Sequence, residues 1–429
     1  MFKWSDEQEM VRAAVRDFVD REIRPHRDEL EFGDLPPYDL LRKMFKTFGM
    51  VDMQKASFQS RIAAEKAKAQ GDDSGSGDAS DGDDSEVRTR DANVVAFNLI
   101  PIIELCRVCP GMVTAMGVSM GLTAAAIMGK GTIAQKERWA LDLLTMDKIG
   151  AWAITEPGSG SDAFGSMKST ARRDGDEYIL NGSKTFITNG PHADTIVFIC
   201  KLDEGNPPED RAVLQFVLDR GMEGLEQSKP LRKMGCHSSP TGELFLSDVR
   251  VGMDRLLGES EDAYKGGGGR SASKSTFGME RTGVVAMALG IVERCLELSV
   301  AYANDRVQFG QPIGQFQLIQ LKLAKMEVAR MNLQNQVFRN IEMAAAGESP
   351  TFAEASAGKL YAAQAATEVA LEAVQIFGGN GYMAEFEVEQ FARGREGAPD
   401  LRGHRRDPGF GSCPSTSGGA GRGLSSLGA

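Results

Sequence analysis

The sequence predicts an α+β protein of several domains, with an N-terminal helical domain, a middle β domain and a C-terminal helical bundle. Three observations predict this class. Helical apolar spacing dominates both ends of the chain, a central block is rich in strand-forming residues, and 429 residues are enough for several domains. The predicted boundaries are 1–150, 151–255 and 256–393, followed by an atypical tail over 394–429.

The N-terminal domain begins with a charged helical segment over residues 1 to about 50, which lacks the apolar core of a signal peptide. Residues 70–91 are predicted to be a disordered acidic insertion, since 70–86 contains six Asp, one Glu and no large apolar residue. Such a segment cannot offset its ordering entropy by burial. An apolar helical pattern returns over 93–147.

One stretch of this domain, Val108 to Gly129, carries no charge and is long enough to suggest a membrane span. It contains Pro110, four glycines and several hydroxyl residues, and no similar stretch accompanies it. We therefore predict a buried core helix, no membrane span and a cytoplasmic location.

The β domain is predicted from turn pairs and runs of β-branched and aromatic residues. Asp174-Gly175 and Asn181-Gly182 are typical of hairpin turns and flank the strand-like EYIL. Further strands are predicted at TIVFIC (195–200), AVLQFVL (212–218) and GELFLSDVRV (242–251).

The C-terminal region begins with a predicted flexible loop over 264–275, which contains four consecutive glycines. Helices are predicted from about residue 278, where apolar residues recur at steps of three or four. The third of these helices runs from about Phe352 to Phe377 and stops at Gly378-Gly379. Residues 394–429 are rich in Gly and Arg and have the composition of a disordered tail.

Charge and cysteine content exclude several classes of protein. With 49 basic and 60 acidic residues the net charge is −11, which argues against nucleic acid as a partner. The six cysteines are too sparse for a disulfide framework. Cys106 and Cys109 form a C-x-x-C without a second pair, so we interpret them as apolar residues of a buried helix and predict no metal site.

The segment AWAITEPGSGSD (151–162) is the first candidate for a binding site. Glu156-Pro157-Gly158 forces a turn, and glycines allow backbone N–H groups to approach a ligand closely. Taken alone, the segment is more typical of a plain surface turn than of a binding site. Four further blocks follow it: KTFITNG (184–190), FGMERTG (277–283), RVQFGQPIGQFQ (306–317) and QIFGGNGY (375–382).

In this order and spacing the five blocks resemble the acyl-CoA dehydrogenase family, over residues 1–393 outside the acidic insertion. The resemblance implies FAD held between the β domain and the C-terminal helices. It also implies oxidation of an acyl-CoA thioester to a trans-2-enoyl-CoA, in which the flavin takes the β hydrogen as hydride and a carboxylate takes the α proton.

The resemblance assigns residues to the flavin ring. One face is implied to lie along Trp152, Ala153, Ile154, Thr155 and Ser161, with Ser161 also near the CoA thioester arm. The other face is implied to be shielded by Phe186, Ile187 and Thr188. Most relatives have Trp in place of Phe186, but either aromatic ring can keep water from a reduced flavin.

A second group is implied to reach the FAD of a neighbouring subunit. Arg306 and Phe309 match such residues, Gln317 matches a contact toward the adenosine, and a turn packs its backbone on the pyrophosphate. That turn comprises Gln375, Ile376, Phe377, Gly378 and Gly379. A guanidinium suits a pyrophosphate, although Arg306 alone would be interpreted as a surface ion-pair residue. The resemblance implies a homotetramer or a mixed tetramer, with an electron-transfer flavoprotein as electron acceptor.

The catalytic base is implied to be Glu280. Isovaleryl-CoA and long-chain members carry the base in Asp-x-Glu-Arg at the start of the first C-terminal helix, and this chain has Gly278-Met279-Glu280-Arg281. Met279 and Arg281 are implied to contact the substrate together with Ser161. Without the resemblance, Glu280 would be an ordinary glutamate favoured by a helix N-terminus.

The resemblance ends after VEQFAR (388–393). Relatives continue with Asp-Ala-Lys and a late segment, whereas this chain changes to Gly/Arg/Pro composition and places Arg402 near the late carboxylate position. We hypothesise a shifted reading frame, which reading the other frames of the coding DNA would test. Losing the late segment would remove a backbone donor to the thioester carbonyl, an effect of about 10²–10³ in rate.

Two alternatives follow from the same sequence. The chain could be a catalytically impaired or non-catalytic subunit of a mixed acyl-CoA dehydrogenase complex, which the altered tail favours. It could also be a flavin-dependent oxidase or monooxygenase of the same fold. Length and branching of the acyl group stay open, because the Glu280 position is shared by short branched-chain and long-chain types.

Overall fold

The computed structural model describes residues 3–70, 84–262, 264 and 268–394, with only the backbone described for 84–91 and 268–282. Helices precede and follow a sheet, as the sequence predicts. The acidic residues 71–83 and the tail 395–429 lie outside the described residues, so the predictions of disorder and of a shifted frame there stay predictions.

The N-terminal domain is helical up to the first strand. Helix α1 begins with a capping box, in which the Ser5 hydroxyl accepts the Gln8 N–H and the Gln8 side chain accepts the Ser5 N–H. The helices are α1 (Asp6–Phe18), α2 (Arg27–Phe32), α3 (Tyr38–Thr47), α4 (Met50–Ala69), α5 (Asp84–Cys106), α6 (Pro110–Gly117), α7 (Ala125–Lys130), α8 (Ile133–Gln135) and α9 (Leu141–Leu144).

Helix α5 begins at Asp84, so residues 84–91 are helical although the sequence predicts disorder there. The later residues Ile100, Ile103 and Leu105 are fully buried. Packing of this end gives the helix a stable nucleus, and extending a helix is easier than starting one. Acidic composition alone therefore places the end of the insertion too late.

The uncharged stretch after α5 packs inside the molecule. Pro110–Lys130 is, among the described residues, the stretch whose length and composition would allow it to cross a membrane, but 78% of its apolar 18-residue window is buried. This agrees with the predicted core helix. Cys106 ends α5 and Cys109 precedes α6; both are fully buried, and burial raises the pKa of each thiol well above its ordinary value. Among the described residues no cluster of His, Cys, Asp and Glu could hold a metal ion.

The β domain is a seven-stranded sheet in the order β1-β4-β2-β3-β7-β6, with β5 paired to β4. Strand β4 pairs in parallel with β1 and β2, and antiparallel with β5. The strands are β1 (Gly150–Ala153), β2 (Thr170–Asp174), β3 (Glu177–Thr188), β4 (Thr195–Leu202), β5 (Val213–Asp219), β6 (Leu225–Gln227) and β7 (Thr241–Gly252).

One of the two predicted turns is wrong. Asp174-Gly175 does connect β2 to β3, but Asn181-Gly182 lies inside β3, at a break in its register with β7. Gly182 has φ +154°, and a Cβ there would lie 2.3 Å from Ser169 Oγ. A glycine within a strand marks close approach of a neighbouring segment, which the dipeptide cannot reveal.

The C-terminal domain packs its helices on those of the first domain. Its elements are α10 (Gly268–Asp305), β8 (Val307–Gln308), β9 (Gln311–Pro312), α11 (Gln317–Ala345), α12 (Phe352–Phe377) and α13 (Val388–Gly394). The predicted stop of the third helix is confirmed, since Gly378 follows α12 with φ +59°.

The predicted loop over 264–275 is wrong for most of its length, because α10 begins at Gly268. Four glycines in a row suggest a loop, but Arg270, Ala272 and Lys274 are good helix formers and serine is only mildly unfavourable. The first C-terminal helix therefore starts ten residues before the predicted position.

The buried apolar residues form three clusters within the part of the chain that the structure describes. One joins the N-terminal and C-terminal helices into a single core, from Trp4 to Phe391. The others cover opposite faces of the sheet: on β4, Ile196 and Phe198 face one cluster, whereas Val197 and Ile199 face the other. Strands β1, β4 and β5 are thus covered on both sides, whereas β7 alternates between buried and exposed residues.

Candidate functional site

Two of the predicted segments lie side by side at one end of the sheet. The Thr185 N–H donates to the Thr155 carbonyl at 2.9 Å, and the Asn189 side-chain amide donates to the Gly150 carbonyl at 2.9 Å. These bonds place Trp152–Thr155 next to Phe186–Thr188. The structure therefore brings together the residues that were expected on the two faces of one ring.

Phe186 is the exposed aromatic residue of this pair of segments. It has φ +56°, and it lies in a register break between Lys184 and Ile187 where β3 bulges away from β7. Its side chain is 65% exposed, while Ile187 and Thr188 are buried. A left-handed non-glycine residue costs roughly 1–2 kcal/mol, so its neighbours must hold it there. The bulge presents a flat aromatic face at the surface of the sheet.

The facing residues on the other segment are mostly buried. Trp152, Ala153 and Ile154 lie in the domain interior, and Thr155 is half-buried. The Trp152 indole N–H is buried and has no hydrogen-bond partner among the described residues. A buried donor without a partner is uncommon and is often satisfied by a ligand or water.

A loop follows this segment and returns to the sheet at Ser169. Its base is the buried Glu156, whose carboxylate accepts the backbone N–H groups of Lys168 at 2.7 Å and Ser169 at 2.9 Å. Within the loop, the Ser159 hydroxyl donates to the Asp162 carbonyl at 2.8 Å. Ser161 is exposed on this loop.

Lys184 closes the base of the loop from the opposite strand. Its ammonium donates to Glu156 Oε1 at 2.9 Å and to the Ile154 carbonyl at 3.1 Å. Burial lowers the pKa of Lys184, and the Glu156 charge limits that decrease. Burial opposes ionisation of Glu156 too, but Lys184 and the two backbone donors bring the pKa of Glu156 below its ordinary value. With three donors on the carboxylate, the pair is ionised at neutral pH.

The structure also identifies residues that the sequence reasoning missed. Lys184 and Asn189 belong to the block KTFITNG and Glu243 to the last predicted strand, but their sequence positions alone indicated no role. Asn189 is fully buried, takes φ +63°, and bonds Gly150, Ala115 and the Tyr38 hydroxyl. The Thr185 hydroxyl donates to Glu243 at 3.1 Å. A signal was present for Lys184, since a cation in an apolar strand usually has a buried partner.

The second predicted group lies elsewhere on the molecule. Tyr302 stacks on Phe377 with ring centroids 4.0 Å apart, and the Asn380 amide donates to the Tyr302 hydroxyl at 3.0 Å. This places the segment after α10 beside the turn after α12. Six of the predicted residues are exposed there: Arg306, Phe309, Gln317, Gln375, Gly378 and Gly379. Ile376 and Phe377 are buried, so only their backbone can serve a ligand.

Helix α10 separates the two groups. It begins shortly after Tyr264, which is buried in the sheet core and donates to the Leu257 carbonyl at 2.7 Å. From Glu280 to Asp305 the helix rises about 37 Å. Arg306, which follows the helix directly, therefore lies far from Glu280 within one protomer.

The predicted base lies within α10, together with Met279 and Arg281. The structure describes their backbone only. Because the helix begins at Gly268, Glu280 lies several turns inside it, and the reading of Glu280 as a helix N-terminal glutamate is wrong. The charge effect of a helix end is confined to its first turn.

The residues at the sheet fit a flat, polar-edged aromatic group such as a flavin ring. The unpartnered Trp152 donor and the exposed Phe186 ring lie on neighbouring segments. Gly158 and Gly160 have no described atom within 4 Å of an added Cβ, so the loop leaves open space at these two positions, the second of which precedes Ser161. The donor set contains backbone and hydroxyl groups, which suit the ring edge of a flavin.

Three family models match consecutive parts of the chain. "Acyl-CoA dehydrogenase, N-terminal domain" matches residues 5–55, "Acyl-CoA dehydrogenase, middle domain" matches 151–249, and "Acyl-CoA dehydrogenase, C-terminal domain" matches 267–403. The last match extends past the point where the sequence was expected to leave the family.

Individual proteins agree with the family models. The chain is 31% identical over 392 residues to a short-chain-specific acyl-CoA dehydrogenase of Clostridium acetobutylicum, covering 91% of this chain and 93% of that protein. It is 31% identical to the mitochondrial isovaleryl-CoA dehydrogenase of Pongo abelii, covering 91% and 84%. Among solved structures, butyryl-CoA dehydrogenase from Megasphaera elsdenii superposes with a TM-score of 0.77 at 30% identity, covering 94% and 96%. A chain from the electron transferring flavoprotein study of Acidaminococcus fermentans gives 0.74 at 30%, covering 94% and 96%.

Proposed function

The chain belongs to the acyl-CoA dehydrogenase family, and on that premise we propose that it uses FAD to convert an acyl-CoA thioester into a trans-2-enoyl-CoA, with Glu280 as base. Membership makes it a flavoprotein oxidoreductase that acts on acyl-CoA. The use of FAD, the trans geometry of the product and the role of Glu280 as base are what we propose beyond this.

The observation that carries the proposal is the adjacency of Trp152–Thr155 and Phe186–Thr188. When bound, FAD supplies an acceptor for the hydride that leaves the β carbon. Thr155 and the backbone beside it would hold the edge of the ring by hydrogen bonds. The Phe186 ring would exclude water from one side of it, which strengthens the electrostatic interactions inside the site.

Removal of the α proton needs a positioned carboxylate in a dry site. Glu280 is proposed for this role because its place in Gly278-Met279-Glu280-Arg281 matches the Asp-x-Glu-Arg position of the isovaleryl-CoA type. Met279 and Arg281 flank it on α10 and are proposed to line the acyl pocket. Ser161, exposed on the loop after Glu156, is proposed to meet the thioester arm.

The oligomer is proposed from the separation of the two groups of residues. The exposed Arg306, Phe309 and Gln317 follow α10 in the chain, and that helix rises about 37 Å from Glu280 to its last residue, Asp305. They would contribute to the FAD of a neighbouring protomer, in a homotetramer or a mixed tetramer. An electron-transfer flavoprotein is the proposed acceptor; one similar chain comes from a study of such a protein.

The first test is the visible spectrum of the purified protein, followed by anaerobic titration with a panel of acyl-CoAs. We expect a bound-flavin spectrum that bleaches with one class of acyl-CoA. The class that bleaches it identifies the substrate, and the relatives make butyryl-, isovaleryl- and glutaryl-CoA the first to try.

Glu280→Gln tests the base. We expect this variant to keep the flavin spectrum and to lose bleaching by about 10²–10⁴ in rate. The control Glu348→Gln, at an exposed position after α11, should bleach like the wild type. A Glu280→Gln protein that bleaches at the wild-type rate would rule out Glu280 as the base.

The change of sequence after Arg393 favours one alternative, an impaired subunit that needs a partner chain. Protein that stays colourless with added FAD would support it. A flavin that reoxidises rapidly in air while acyl-CoA is consumed would instead indicate an oxidase.

A further inference from the structure

The pair Glu156–Lys184 is a buried ion pair that the flavin assignment does not use. The Lys184 side chain is 0% exposed and that of Glu156 is 5% exposed. Burying two charges is expensive, and apolar residues of the same size often give equal or greater stability. Stability alone therefore does not account for the pair, and the segments that it connects indicate its role.

The Glu156 carboxylate connects the two ends of one loop. Its own residue begins the loop, and its two oxygens accept the N–H groups of Lys168 and Ser169 at the end of the loop. The intervening residues 157–167 include the exposed Ser161 and two glycines with open space around them. Without the carboxylate, the backbone at the loop base would have two unpaired donors.

The Lys184 ammonium connects the loop base to both flavin-facing segments. It donates to the Ile154 carbonyl on one segment and lies two residues before Phe186 on the other. The ammonium also lies over the buried Phe198 ring of β4, 5.2 Å from the ring centroid, and this contact helps to fix the position of Lys184. Thr185 adds a backbone bond to Thr155. The left-handed Phe186 thus follows directly after two anchored residues.

We propose that Glu156 and Lys184 are positioning residues, which hold the loop 157–167 closed against the sheet and fix Phe186 and Thr155 at the spacing that a flavin ring requires. The inference rests on the proposed function for the identity of the ligand. The closure of the loop itself is a property of the protein without any ligand.

Trypsin cleavage after Lys168 measures loop closure in the protein without flavin. Lys168 is exposed, but its N–H and that of Ser169 are held by Glu156. In Glu156→Gln one of the two carboxylate acceptors becomes a donor. We expect cleavage at this bond, followed by mass spectrometry, to accelerate about tenfold or more.

The same variant should bind flavin and substrate less well. We expect the FAD Kd from fluorescence to rise about tenfold, and KM for acyl-CoA to rise more than kcat falls, because the loop carries Ser161. A residue that only supports the fold would lower the melting temperature and leave these quantities unchanged well below that temperature.

Two further variants separate positioning from folding. Ile341→Ala removes a fully buried side chain from α11 in the helical core, outside the sheet clusters, and should lower stability while cleavage after Lys168 and the FAD Kd stay within about twofold of the wild type. In Glu156→Gln/Lys184→Met no unpaired charge remains, so we expect the melting temperature to recover toward the wild type while cleavage stays fast and FAD binding stays weak.

The outcomes distinguish this inference from the proposed function. Slow cleavage and wild-type FAD affinity in the double variant would overturn the positioning role. An equal acceleration of cleavage and an equal rise of the FAD Kd in Ile341→Ala would also overturn it. If the wild type binds no FAD, the proposed function fails, and the cleavage rates still decide whether the pair closes the loop.

Discussion

Phe186 combines an unfavourable backbone conformation with little burial. Its φ of +56° favours glycine, and its side chain is 65% exposed. Phe186→Gly should therefore raise the free energy of unfolding of the flavin-free protein by about 1 kcal/mol, measured by urea unfolding. In the flavin-loaded protein it should speed reaction of the reduced flavin with oxygen, because the ring no longer excludes water.

Phe186→Ala is the matched control for that prediction. Alanine removes the ring but keeps a Cβ, so it should reproduce the faster reaction with oxygen without the gain in stability. A loss of stability in Phe186→Gly would mean that contacts of the ring, and not the backbone, dominate at this position.

At the scale of single residues, the sequence predicted the site unevenly. Thr155 and Phe186 could be assigned through the resemblance, because they belong to contiguous blocks. Asn189 could not, since its role depends on meeting Tyr38 from α3 and Ala115 from α6, which are far away in the chain. The role of Lys184 likewise depends on its contact with Glu156, which forms only when two segments that are separate in the chain pack together.

At the scale of secondary structure, one contact between helices depends on a glycine, because any side chain there would separate the two backbones. A Cβ at Gly290 of α10 would lie 2.1 Å from the Ile103 carbonyl of α5. Gly290→Ala should therefore push the helices apart and lower the free energy of unfolding by about 1–3 kcal/mol. Chemical denaturation of the full chain measures it.

Gly283, on the same helix, provides the control. A Cβ there meets no described atom within 4 Å. Gly283→Ala should raise stability by about 0.5–1 kcal/mol, since alanine favours the helix. Similar effects of the two changes would mean that helix propensity, and not the crossing with α5, determines the result.

The positions of the core strands could be predicted more accurately than the points where helices and strands begin or end. β4, β5 and β7 lie where the sequence predicts them. β4 and β5 are covered on both faces and are continuous apolar runs, whereas β7 alternates between buried and exposed residues. The start of α10 and the course of β3 through Asn181-Gly182 were missed. In both cases local composition indicates a break, while packing by distant residues such as Ser169 determines the structure.

At the scale of the whole molecule, apolar side chains on α11 and beside it are left uncovered. Phe309 is 94% exposed and Leu318 is 75% exposed, and Leu321 is exposed one turn further along α11. Exposed apolar patches mark interaction sites. We expect Leu318→Asp/Leu321→Asp to reduce the molar mass in light scattering and to weaken FAD binding, although neither residue adjoins the sheet site.

Met10→Asp is the control for that change. Met10 is an exposed apolar residue on α1, so the same kind of substitution should leave mass and FAD affinity unchanged. An unaltered mass in the α11 variant would contradict assembly through this surface, and unaltered FAD affinity in a monomer would contradict a shared cofactor site.

The order of the domains could be predicted from the sequence, but the common core of the N-terminal and C-terminal helices could not. Helices from both ends of the chain share one core, from Trp4 to Phe391. Apolar periodicity shows that a helix has a buried face without showing which helix covers it.

The burial of the cysteines makes the protein suited to site-directed labelling. Cys106, Cys109, Cys200, Cys236 and Cys295 are all buried and unpaired, and burial raises the pKa of each thiol, so they should react slowly with thiol reagents. In a Cys413→Ser background, Ser161→Cys would then give one reactive attachment point for a spin label or fluorophore. The loop over the sheet site could be followed in real time, with and without acyl-CoA, in the otherwise unmodified chain.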